Sequence, residues 1–233
     1  MIAPLSRWVA SGVRHEVLLR ALPALRHDMA APVSVARMTA LLLKRQLTAS
    51  SIDAAACAQR VVVLEEQMTA LIEAIRLLRG WEAGGTDAGV TRAALVIRCV
   101  SLLRPVFDLR GVTIEVDPSI APPEDAPAAP APAEPERAWP NVSALRYLLL
   151  ASLCCLHDCG PDTGSIRISA DGEDALQLIA HPRPADAAAP LAAMPSSQAQ
   201  LLVDAAALQC LADDLGYEVG FSERGVRLRL AAA

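Results

Sequence analysis

The sequence predicts an α+β protein in two parts: a helical hairpin that forms a dimeric four-helix bundle, and an α/β sandwich after it. Three observations carry this reading. Apolar residues recur at threes and fours through two long stretches near the N-terminus, which is the helical period. Beyond residue 90 the rhythm changes to short alternating runs set between helical segments. A glycine-rich linker, "EAGGTDAG", separates the two regimes.

The first helix runs from about residue 13 to Gln46, with Leu25, Met29, Pro32, Ala36, Leu43 and Leu47 as its stripe. "TASS" at 48–51 breaks it, and Ser51 or Asp53 is placed to cap the next helix. That second helix extends to about Trp81 and carries Val62, Leu64, Met68, Leu71, Ile75 and Leu78. Two long helices joined by a short loop make an antiparallel hairpin. Such a hairpin does not cover both of its apolar faces alone, so a second copy is expected to complete a four-helix bundle, as a homodimer.

The remainder reads as a helix over about 91–108, an alternating strand "VTIEVD" at 112–117, a Pro/Ala-rich tract, and a helix starting near Asn141. Two strand-like runs follow, "SIRIS" and "ALQLIAH", then an Ala-rich loop, a helix over about 198–215 and a terminal hairpin. This order suggests helices layered on one mixed sheet. The expected organisation is an N-terminal segment 1–12, the helical hairpin 13–82, a linker 83–89 and the sandwich 90–233, with a Pro/Ala-rich surface loop at 118–140.

Composition narrows the function. With 233 residues, 53% of them apolar, the chain has material for one medium core or two small ones. A net charge of −5 and no basic stripe exclude nucleic acid as the expected partner. The uncharged apolar runs are read as falling short of the roughly 20 residues that a membrane span requires. Six cysteines without a CxxC pair or a secretory leader are read as reduced thiols in a cytoplasm. "CCLHDC" at 154–159 invites a metal reading through Cys154, Cys155, His157 and Cys159. Steps of one, two and two residues spread those four around a helix axis, so they are read as small core residues.

The stretch "LRHDMAAPV", residues 25–33, is the candidate site. His27 is two positions from both Leu25 and Met29, so it points about 160 to 200 degrees away from the stripe and faces solvent. Asp28 adjoins it and is placed to hold one ring nitrogen, leaving the other as a neutral nucleophile. Pro32 lacks an N–H and clashes with the carbonyl of Asp28, which is expected to kink the helix at the histidine. The positions read as one and two turns on, Ala30, Ala31, Ser34 and Met38, are small or flexible and would let a partner helix lie close.

His-Asp-Met-Ala-Ala-Pro in the long helix of a helical hairpin resembles the phospho-accepting box of sensor histidine kinases. The resemblance implies that His27 is the phosphorylated residue and Asp28 its acid/base partner. A second pair, His15 with Glu16, has Arg20 where the proline should be and is read as structural. The C-terminal part resembles the ATP-binding domain of the same family without its chemistry. "LRYLLLASLCCLHD" matches the helix that presents asparagines to magnesium and phosphate, but the matching positions are Ala151 and Cys155. The one asparagine of the chain, Asn141, sits where it would cap that helix. No Gly-x-Gly occurs, and the strand that should lead to a nucleotide loop runs into "HPRPADAAAP".

A phospho-accepting histidine beside a degenerate ATPase-like sandwich resembles the histidine phosphotransferases of the ChpT type. The resemblance implies a bacterial two-component phosphorelay, with phosphoryl groups passing between receiver-domain aspartates through His27. It implies no cofactor of the chain's own, magnesium being supplied by the receiver, and a hybrid sensor kinase as a further partner. Two alternatives stand beside it: a non-catalytic dimeric regulator that sequesters a response regulator or kinase, and a divergent ATP-dependent kinase. A phosphatase role is disfavoured because Ala31 stands where related kinases place Thr or Asn to orient a water.

Overall fold

The computed structural model describes residues 4–79, 81, 89–121, 137–184 and 201–232. It divides into two compact units, Met1–Ala21 with Thr86–Ala233, and Leu22–Gly85. The boundary expected near residue 13 therefore falls later, and the first helix contributes to both units. Most of the expected linker 83–89, the middle of the 118–140 loop and the Ala-rich loop before residue 201 lie outside the described residues.

Helix α1 spans Leu5–Leu47 and starts eight residues before the expected position. The physical reason is burial: Ala10, Val13, Val17 and Ala21 recur at threes and fours and are each no more than 5% exposed. That packing overrides the weak helix propensity of Ser6, Ser11 and Gly12. The helix runs without a break through both Pro23 and Pro32.

In the unit Leu22–Gly85, α1 turns at 48–53 into α2, Ala54–Arg79. Asp53 is the cap, its Oδ1 accepting from the Ala56 N–H at 3.0 Å. Across the turn, Arg60 Nε donates to Gln46 Oε1 at 2.6 Å. Much of the apolar surface here is uncovered: Leu47, Val62, Met68 and Ile75 of the expected stripes are exposed, and Ala74 is the buried residue of α2.

The other unit is built on a five-stranded mixed sheet in the order β2-β4-β5-β7-β6. Its strands are β2 (Thr113–Val116), β4 (Thr163–Asp171), β5 (Ala175–Pro182), β6 (Tyr217–Ser222) and β7 (Gly225–Ala232). β2 and β4 run parallel and the rest antiparallel. A two-stranded ladder absent from the sequence reading joins β1 (Val90–Thr91) to β3 (Ala138–Trp139). Period-two alternation sets one apolar face. Ile114 pairs with Ile166, Ile168 with Leu178, and Leu178 with Val226, all within 4% of complete burial.

Helices α3 (Arg92–Leu109), α4 (Val142–Cys159) and α5 (Ala205–Leu215) accompany this sheet. α4 is the core element, buried along nearly its whole length from Ala144 to Leu156. It is the one described helix whose length and mean hydropathy, 1.3 over 18 residues, approach those of a membrane span. Arg146 and Asp158 interrupt it, so its uncharged run stays well short of that length, as expected. The helix is apolar because most of its residues are buried. Asn141 stands at its N-cap position but does not cap it. Its backbone is left-handed, φ 59°.

Candidate functional site

His27 lies on the part of α1 that belongs to the hairpin unit. Its side chain is 82% exposed, and Nδ1 is 3.5 Å from Asp28 Oδ1, at the outer edge of hydrogen-bond distance. Asp28 is itself more than half exposed, so both groups are open to a partner. Pro32 is buried on the opposite side of the helix, with Leu25. Ala30, Ala31, Ser34 and Met38 are exposed, on the same side as the imidazole. The Ser34 hydroxyl is engaged by its own helix, donating to the Ala30 carbonyl at 2.9 Å.

Helical spacing carries this row one turn further. Leu41, three residues after Met38 and 14 after His27, is 56% exposed. It was not among the expected contact residues, although the same three-and-four spacing extended by one step finds it. The result is a strip with an imidazole at one end, small residues beside it and apolar side chains at Met38 and Leu41.

His15 is exposed. Glu16 turns inward and is unavailable to it. In the sandwich unit Glu16 Oε1 accepts from Arg20 Nε at 2.9 Å, with both side chains no more than 3% exposed. Arg20 also grips Asp158 of α4 through two bonds, at 2.9 and 2.8 Å, and donates to the Leu201 carbonyl at 2.8 Å. Asp158 accepts further from the Val203 N–H at 3.0 Å and contacts His157 Nδ1 at 2.9 Å. The His157 ring packs on Phe107.

This network ties the start of α1 to α4 and to the chain entering α5. Burial disfavours the Asp158 carboxylate, but the bonds from His157, Arg20 and the Val203 N–H outweigh it and hold the group down at about 2. Burial likewise disfavours the Arg20 guanidinium, and its carboxylate partners raise it above its ordinary value. In sequence Arg20 stands out only as the residue where a proline would complete the His15 motif. Its partner Asp158 lies 138 positions away, and no local pattern joins the two.

At the positions matched to magnesium-binding asparagines, Ala151 is fully buried and Cys155 is 4% exposed. The cysteine-rich run has no single focus. Cys154 lies against Arg20, and burial pushes its thiol up to about 12. His157 is taken by Asp158, while the Cys159 sulfur approaches the Val203 carbonyl at 4.0 Å. All six cysteines are free thiols.

No protein-family model matches the chain, and no curated protein does. Among solved structures, the Acinetobacter baumannii histidine kinase AdeS is similar at 11% identity, over 88% of this chain and 98% of that one, with a TM-score of 0.35. Likeness at that level equates neither the fold nor the activity of the two proteins.

Proposed function

We propose that the chain is a histidine phosphotransferase that relays phosphoryl groups between receiver-domain aspartates through His27, without using ATP. The observation that carries the reading is the imidazole itself. It is 82% exposed on an unbroken helix, with a carboxylate 3.5 Å from Nδ1 and small side chains at the next turn.

In this reading Asp28 accepts from Nδ1–H and fixes the tautomer, so that the Nε2 lone pair points outward. Nε2 attacks the phosphorus of an aspartyl phosphate. The N–P bond forms as the aspartyl O–P bond breaks, and the carboxylate leaves. The carboxylate of Asp28 offsets the charge that develops on the ring. Return transfer reverses these steps on a second receiver, and magnesium belongs to the receiver in both directions. Ala30 and Ala31 admit close approach, while Met38 and Leu41 offer apolar contact to a partner element.

The uncovered stripe residues Leu47, Val62, Met68 and Ile75 support a second copy of the hairpin as the cover, since contiguous apolar surface of this kind marks an association face. Buried Ala151 and Cys155 bring no oxygen ligand to nucleotide or magnesium, which supports a relay over a kinase. The test is transfer of label from a phosphorylated receiver to the wild-type chain and to His27→Ala. Label retained by the variant would defeat the reading.

A further inference from the structure

Four side chains of the run 154–159 have no common focus, but two of them do. Cys155 and Cys159 stand one turn apart on α4 and leave the same face of the helix. Both lie on the wall of a cavity of about 320 Å³ formed by the end of α4, the start of β4, the start of α5 and the β6–β7 turn. Cys155 is 4% exposed and Cys159 open to solvent, so the pair is reached from the Cys159 side.

The charges around the pair favour a cation. Arg224, the one cation on the described wall, is paired with Asp162 at 3.1 Å. Asp158 and Asp204 both act on the Cys155 sulfur. Asp158 is neutralised by Arg20, whereas Asp204 pairs with no cation among the described residues; its carboxylate caps α5 through the Ala207 N–H.

We propose that Cys155 and Cys159 form a two-sulfur site for a single soft monovalent cation of the Cu(I) class. Soft thiolate ligands select such ions, and two sulfurs in line satisfy a monovalent d¹⁰ ion. Zinc takes four ligands, and no group of three His, Cys, Asp or Glu is arranged for a metal among the described residues. On binding, both S–H bonds break, the two protons pass to solvent and two sulfur–metal bonds form, with no change of oxidation state. The site makes no use of His27, so it stands or falls apart from the phosphotransfer reading.

The experiment is an anaerobic titration of the reduced full chain with Cu(I) buffered by a chromophoric chelator, following the ultraviolet sulfur-to-copper band. One ion per chain is expected. Cys155→Ser and Cys159→Ser should each weaken binding by at least the order of a hundredfold that loss of an outer-shell partner costs. Cys57→Ser and Cys210→Ser should leave it unchanged. Circular dichroism checks the fold, and exposed Cys159 decides the matter if the Cys155 variant does not fold. Absence of the band at one equivalent, its persistence in Cys159→Ser, or its loss in Cys57→Ser would overturn the proposal.

Discussion

Replacing Asp158 with Asn tests the fastening of α1 to α4. Asn keeps the shape and removes the charge that Arg20 faces across two bonds of 2.9 and 2.8 Å. Two routes give the magnitude. A carboxyl held at about 2 against an ordinary 3.8 is stabilised in the folded state by roughly 2 to 3 kcal/mol at neutral pH. Removing one partner of a buried pair costs roughly 3 to 5 kcal/mol where the other charge is left alone; Glu16, 2.9 Å from the Arg20 Nε, still faces the guanidinium and holds the loss to the lower end. The expected loss lies within these ranges.

The sign with pH follows from the depressed carboxyl. Its contribution is fully present above 3.8 and is lost as pH falls toward 2, so the wild type should lose stability across that window. Asp158→Asn should be weaker at neutral pH and flatter over the acid range. Guanidinium denaturation followed by far-ultraviolet circular dichroism at several pH values measures both. A loss below about 1 kcal/mol with an unchanged acid limb would refute the buried clamp, because that is the scale of an exposed pair.

Three further outcomes are expected. Asp53→Ala should destabilise the hairpin by about 1 kcal/mol and Asp53→Ser should recover most of it, since the loss is that of one capping bond, read by thermal melts. Leu43→Asp or Leu71→Asp should dissociate or unfold the proposed dimer of the full chain, because each places a charge in the stripe that a second copy would cover; light scattering should give a two-chain mass for the wild type and one for the variant. Calorimetric titration with ATP and magnesium should give no binding isotherm, and micromolar affinity together with incorporation of the γ-phosphate would favour the kinase alternative.

Where local period and turn chemistry decide, the sequence was sufficient. "SIRIS" and "ALQLIAH" became β4 and β5 because alternation matched one covered face, and of the two candidate caps, Ser51 and Asp53, it is Asp53 that caps α2. The start of α1 was missed because Ser11 and Gly12 argue against a helix locally. Burial of Ala10, Val13 and Val17 against distant residues decides it instead. Asn141 stands at the expected N-cap position but makes no cap bond, its backbone being left-handed there instead of extended. His27 was legible because exposure on a helix follows from phase alone. The Arg20–Asp158 network was not, because partners so far apart in the chain leave no pattern within any window of sequence.

The most direct measurement is the site of label after a phosphorylated receiver is mixed with the full chain. The account predicts acid-labile, base-stable phosphate on His27, the behaviour of a phosphoramidate. It should be absent in His27→Ala with dimer mass unchanged, slowed on the order of a hundredfold in Asp28→Asn, and unaffected in His15→Ala. Label on His15, or normal relay by His27→Ala, would contradict the account and leave the sequestering regulator as the better reading.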